Sequence, residues 1–223
     1  MRTAKNALIA VSGGALVGTV MFGASGSVRW LNAWLFLGLM SVVAFLSAKA
    51  INGSPGLAEE RRTAAAGSTS RDRAAVRAIS AVTFLLVILA IGDHRFGWLP
   101  PVPLQVSVVA LTLSLGGAVL TYRAMTCNAF FSSHVRLQSD RGHVVVTQGP
   151  YRFVRHPGYA GSIVFNLLLP LVLGSWVAVV PAVGLAALLA WRTAYEDRFL
   201  NDNLPGYGAY AAQVRHRLIP GVW

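Results

Sequence analysis

Apolar and polar residues alternate in long blocks along this chain. Six apolar runs, 7–24, 31–48, 78–92, 104–122, 159–173 and 176–191, are separated by polar segments of unequal length. A helix needs about 20 apolar residues to cross the hydrocarbon core of a bilayer, within a range of roughly 17–25. The first, second and fourth runs reach that length. The third does so once Val76 and Arg77 are taken as a snorkelling end. The last two are shorter and are parted by Gly174-Ser175, which predicts a tight helical hairpin kinked at Pro170 and Pro181. The pattern therefore predicts an all-α, polytopic membrane helical bundle of five to six spans, the last two forming the short hairpin.

The polar segments are not simple turns. Residues 49–77 form a linker in which Ser54-Pro55 can start a short surface helix over 57–66. Segment 123–158 is longer than a connection requires. It holds Phe130, Phe131, Val144, Val145 and Val146, too many aromatic and β-branched residues for disorder. The tail 192–223 is amphipathic and is broken by Pro205-Gly206 into two short helices. Segments 123–158 and 192–223 flank the hairpin on one side of the membrane, where they can close a pocket over it. The chain divides accordingly into an N-terminal spanning region, 1–125, which we expect to face the substrate, and a catalytic cofactor-binding region, 126–223.

Composition supports the membrane reading. Of the 223 residues, 55% are hydrophobic and 12% charged, and mean hydropathy is positive. The net charge of +11 would suit a nucleic-acid binder, but its placement argues otherwise. With six spans and the N-terminus inside, seventeen of the 19 Lys and Arg fall on the inner side; only Arg29 and Arg95 fall outside. That asymmetry is the positive-inside rule. It puts the N-terminus, the catalytic loops and the C-terminus in the cytoplasm, and the Arg-rich composition suggests a bacterial inner membrane. The start resembles a signal peptide, with Arg2 and Lys5 before an apolar run, yet its flanks favour an uncleaved first span. Trp30, Trp34, Trp98, Trp176 and Trp191 lie near span ends, as an aromatic belt requires. The single cysteine, Cys127, excludes an intrachain disulfide, and His134, His143 and His216 lack metal-ligand spacing, so no metal is expected.

Ionisable residues at span edges are candidates for function. They cluster in Gly149-Pro150-Tyr151-Arg152-Phe153-Val154-Arg155-His156-Pro157-Gly158-Tyr159-Ala160-Gly161, in Arg192 with Glu196-Asp197, in Tyr207 and Tyr210 after Pro205-Gly206, and in Arg215 to Trp223. These four blocks, in this order, resemble the isoprenylcysteine carboxyl methyltransferase family. The resemblance runs from about Asn128 to Trp223. The family often has two glutamates where this chain has Glu196-Asp197. The resemblance implies an integral-membrane enzyme that uses S-adenosylmethionine and releases S-adenosylhomocysteine.

The residues give each block a chemical role. Pro157 suits a first helical position, and the N–H groups of the following turn can hold an anion. A methionine carboxylate would sit there with Arg155 as a second donor, while His156 and Tyr159 bond polar cofactor atoms. Gly149, Pro150, Tyr151, Val154, Gly161 and Leu200 complete the expected cofactor-binding set. Gly158 and Gly161 serve either close helix packing or approach to adenosine. Tyr207 and Tyr210 either wall the adenine or are ordinary interfacial tyrosines. Arg192 and Glu196, four apart, share one helix face, and the resemblance implies that they lie at the active site as the catalytic pair. Arg192 would orient an anionic group, and Glu196 would hold the cofactor or the nucleophile. Arg217, Ile219 and Pro220 look like a clasp for the tail. The acceptor stays open: an isoprenoid or lipid carboxylate, a thiol or an amine drawn from the bilayer. Two rival readings stand beside this one, an NADPH-dependent membrane reductase of the sterol reductase type and a non-catalytic membrane binding module.

Overall fold

A computed structural model describes residues 2–63 and 68–223, without side-chain detail for residues 2–12, 55, 62 and 63. Among the described residues every regular element is helical. They are α1 (Arg2–Ser25), α2 (Leu31–Gly53), α3 (Pro55–Thr63), α4 (Ser70–Phe96), α5 (Leu104–Cys127), α6 (Pro157–Val172), α7 (Val179–Asn203) and α8 (Tyr207–Gln213). Two single-turn 3-10 segments, Ser139–Arg141 and Gly149–Arg152, punctuate the long loop between α5 and α6. Among the described residues three helices, α2, α4 and α5, are long and apolar enough to cross a membrane. Their outer faces expose Phe45, Phe84, Leu85, Ile88, Val109 and Leu113. Such a surface suits lipid, since water would penalise it. This is an integral membrane protein.

The main core lies between α1, α2, α4, α5, α6 and the start of α7, and includes Met21, Phe36, Leu39, Leu86, Leu169 and Leu173. The most extensive helix pairing is α5 with α6. It rests on the lack of side chains. A Cβ on Gly161 would run into the Gly117 carbonyl oxygen and come within 2.5 Å of Thr121 Oγ1 and 2.9 Å of its N. The Thr121 hydroxyl is within hydrogen-bonding distance of both the Gly117 oxygen (3.1 Å) and the Gly158 oxygen (3.3 Å). Small residues let two backbones approach closely where lipid offers no hydrophobic gain.

Four expectations are corrected. Pro181 is the third residue of α7, where no intrahelical hydrogen bond is lost, so it starts the helix instead of kinking it. Pro170, by contrast, does lie inside α6. Trp30 is buried at 3% exposure and stacks on His94, with ring centroids 4.5 Å apart, so it belongs to the core and not to a lipid belt. The first piece of the tail is no separate helix. α7 runs on past the apolar stretch to Asn203, so the hairpin has one short arm and one long one. The linker helix is not superficial: Leu57 and Glu60 are buried, and it spans Pro55–Thr63. The expected stretch 64–66 lies outside the described residues.

Candidate active site

The polar end of the bundle is organised by two buried aspartates. Asp197, on the extension of α7, receives Arg155 through Nε at 2.7 Å and Nη2 at 2.9 Å. It also accepts the Tyr207 hydroxyl at 2.9 Å and Arg217 Nε at 2.8 Å, and it lies 3.0 Å from His156 Nε2. One carboxylate thus ties together the lead-in to α6, the extension of α7, α8 and the tail. The backbone reinforces the tie: the amides of Arg155 and His156 donate to the carbonyls of His216 and Arg217. Arg155 Nη1 donates to the Val214 and Arg215 carbonyls. Gly206, at φ +83, lets the chain reverse between α7 and α8. Burial holds the Tyr207 hydroxyl above its ordinary pKa, and the negative charge of Asp197 adds to that. Burial does the same for Tyr210, partly opposed by Arg155.

Asp72 is the second hub. Thr69 caps α4 by accepting the Asp72 amide at 3.1 Å, which turns the Asp72 side chain into the protein. Its Oδ1 receives Arg192 Nη2 at 2.8 Å and Nε at 3.2 Å, and its Oδ2 meets His134 Nδ1 at 2.7 Å. Arg192 Nη2 also donates to the Ser133 carbonyl at 2.5 Å, and its guanidinium lies over the Tyr159 ring at 5.7 Å. Arg192 is therefore held by α4 and the long loop. Glu196, one turn further along α7, accepts the Tyr159 hydroxyl at 2.6 Å.

Between these hubs lies a cavity of about 300 Å³, within the range typical of small-molecule sites, roughly 300–1,000 Å³. Its walls come from the loop 128–146, α4, α6, α7 and α8. Its lining is mixed: polar side chains of Arg136, His156, Tyr159, Arg192 and Glu196, and apolar or aromatic ones of Phe130, Val145, Leu200, Leu204 and Tyr210. Val76, Ile79 and Ser80 extend it towards the spanning part of α4.

Nine expected site residues line this space: Tyr151, Arg155, His156, Tyr159, Arg192, Glu196, Leu200, Tyr207 and Tyr210. The other five lie beside it. Gly149 has φ +59 and would place a Cβ 2.5 Å from Cys127 Sγ. Pro150 opens the 3-10 turn, Val154 is buried behind it, Pro157 starts α6, and Gly161 packs on α5. Arg155 commits four hydrogen bonds to protein atoms. Tyr151 is fixed by Asn128 Nδ2 at 3.1 Å, and its carbonyl accepts the Tyr210 hydroxyl at 2.6 Å.

Sequence reasoning missed Asp72 and Glu60, and took Asp197 only as a companion of Glu196. The spacing Thr69-x-x-Asp72 before an apolar run is a helix-start signature that would have marked Asp72. Nothing local marks its pairing with Arg192, 120 residues away.

The sequence model of the isoprenylcysteine carboxyl methyltransferase family matches residues 108–202. That interval holds both the Gly149–Gly161 block and Arg192 with Glu196, the residues that meet in the cavity. Over these residues the chain is similar to that family. Relatives include the cobalt-zinc-cadmium resistance protein CzcN of Cupriavidus metallidurans, 31% identical over 60% of this chain and 57% of that protein. Another is protein-S-isoprenylcysteine O-methyltransferase A of Arabidopsis thaliana, 30% identical over 44% of this chain and 50% of that protein. The chain thus spans about half the length of the curated relatives it matches. A solved eukaryotic intramembrane Ras methyltransferase of this family superposes with a TM-score of 0.57 at 21% identity, covering 96% of this chain and 76% of that one. That likeness shows a shared membrane fold.

Proposed function

We propose that this chain is a membrane-embedded methyltransferase that transfers a methyl group from S-adenosylmethionine to a lipophilic or small acceptor reached from the bilayer. The observation that carries this reading is one cavity whose lining combines Tyr159, Glu196 and Arg192 with aliphatic and aromatic side chains. The match of residues 108–202 to the isoprenylcysteine carboxyl methyltransferase family model supports it. The donor set suits the cofactor in kind. Glu196, which lines the cavity and accepts the Tyr159 hydroxyl, would attract its cationic end. Val145, Leu200, Leu204 and Tyr210 would wall a flat purine.

When bound, S-adenosylmethionine supplies an electrophilic methyl group on a sulfonium centre and leaves as S-adenosylhomocysteine. The protein's part is to hold two reactants in line and keep water out. Alignment of reactants is worth up to about 7–11 kcal/mol in ideal cases. Arg192, fixed by Asp72 and the Ser133 carbonyl, is placed to orient an anionic acceptor group. Its fixed geometry means little reorganisation is needed as charge redistributes. His156, between Asp197 and Tyr207, keeps the pocket wall rigid and can bond a polar cofactor atom. The apolar extension along Val76 and Ile79 is a suitable approach for a greasy acceptor. We further infer that the cavity faces the cytoplasm of a bacterial cell, from the charge asymmetry of the spans. On that reading residues 126–223 hold the cofactor and residues 1–125 select the acceptor.

Calorimetric titration of the purified, detergent-solubilised chain with S-adenosylmethionine, S-adenosylhomocysteine and NADPH tests this. Saturable binding of the first two, weakened in His156→Ala, is the expected result. Binding of NADPH alone would move the protein to the reductase class, and binding of none of the three would leave a non-catalytic module.

A further inference from the structure

The cavity has a cover, the loop from Asn128 to His143, and the cover is pinned from outside the catalytic region. Its anchor is Glu60 on α3, fully buried at 0% exposure although the helix belongs to a polar linker. Glu60 Oε1 accepts the Ser132 hydroxyl at 2.5 Å and Arg136 Nε at 3.2 Å, and Oε2 accepts Arg136 Nη2 at 2.6 Å. Arg141 Nη1 lies 3.7 Å from the same oxygen. The grip then spreads through the loop. Arg141 donates to the Ala129 carbonyl at 2.9 Å and to Gln138 Oε1, and Gln138 Nε2 donates to the Phe130 carbonyl at 2.8 Å. Ser132, Arg136, Phe130 and Gln138 all line the cavity. Gly56, one turn before Glu60, leaves room for the Arg141 guanidinium: a Cβ there would collide with its Nη2.

We propose that Glu60 is a positioning residue that holds this cover in place, so that retention of the cofactor depends on a carboxylate that does not touch it. The proposal rests on the methyltransferase reading above. Removing one partner of a buried charge network leaves the others uncompensated, and the groups released here, Ser132 and Arg136, are the ones that shape the cavity.

The test is calorimetric binding of S-adenosylhomocysteine together with hydrogen–deuterium exchange, in the full chain in detergent. In Glu60→Gln we expect affinity to fall roughly ten- to a hundredfold, the scale of a small misplacement around a bound reactant. Faster exchange should be confined to residues 129–141, and the melting temperature at neutral pH should fall only modestly below that of the parent. Glu60→Asp, which keeps the charge, should recover most of the affinity. Asp140→Asn removes only an exposed pair with Arg136, 3.5 Å long, and should leave binding unchanged. If Glu60→Gln proves too unstable to purify, Arg141→Gln decides instead: about threefold weaker binding supports the proposal, by analogy with modest pair energies, and unchanged binding overturns it. Unaltered affinity in Glu60→Gln would overturn it while leaving the methyltransferase reading intact. Failure of the parent chain to bind S-adenosylhomocysteine would sink that reading instead, and the proposal about retention with it. The exchange pattern would still report whether Glu60 pins the loop.

Discussion

The α5–α6 seam and the Asp197 hub hold the same helix, α6, by opposite means. Within the bundle, Gly117, Gly161 and Thr121 bring two backbones together because nothing projects between them. At the membrane edge, Asp197 draws Arg155, His156, Tyr207 and Arg217 onto one carboxylate because every donor finds an acceptor. The seam depends on shape and tolerates no added volume. The hub depends on charge balance and tolerates no missing partner. The site sits where the two regimes meet, which is how a polar pocket can be built on helices selected for lipid.

The hub should be the more fragile of the two. Asp197→Ala leaves Arg155 and Arg217 without their shared carboxylate, and we expect a loss of about 3–5 kcal/mol, as for other broken buried pairs. Chemical denaturation in detergent measures it, and a loss under about 1 kcal/mol would show that backbone ties between 155–156 and 216–217 suffice. At the seam, Gly161→Ala should cost about 1–3 kcal/mol through overpacking, read by the same measurement. A neutral result would mean that α6 can slide along α5.

Smaller effects separate the site from both scaffolds. Glu196→Gln keeps the size and an acceptor for Tyr159 but removes the charge. We expect unchanged stability and roughly tenfold weaker binding of S-adenosylmethionine, a difference of about 1.4 kcal/mol. Equal binding would remove Glu196 from the cofactor site. The smallest effect is pH-dependent. Burial raises the pKa of the Glu60 carboxyl, but hydrogen bonds from Arg136 and Ser132 and the charges of Arg136 and Arg141 outweigh it, so its pKa lies below the ordinary 4.5. A depressed folded pKa contributes stability that is complete above the unfolded value and is lost as pH falls through the folded one. The modest gap in melting temperature between the parent and Glu60→Gln should therefore be full at neutral pH and close as the pH falls through the depressed carboxyl pKa. A gap that persists in acid would mean the carboxylate's charge is not what holds the loop.

The sequence made the spans visible wherever lipid contact demanded an unbroken apolar run, as in α2, α4 and α5. It hid what hydropathy does not encode. The amphipathic pattern after Trp191 marked a helix, but nothing in it showed that this helix continues α7 without a break to Asn203. Trp30 looked interfacial because its partner, His94, lies 64 residues away along the chain. The family blocks gathered nine expected residues around one cavity, since short-range spacing carried them. Asp72 and Glu60 escaped notice because their significance comes from Arg192 and Arg136, which only the fold brings near.

The membership of the Asp197 hub also sets an order of events during synthesis. Asp197 and Arg155 can meet once α7 has formed, but Arg217 is made later, and the backbone ties from 155–156 wait for residues 216 and 217. A ribosome-bound chain can therefore have all its apolar helices inserted while its pocket is still open at one side. On that order the pocket closes only once residues 216 and 217 are available to pair with Asp197 and with 155–156.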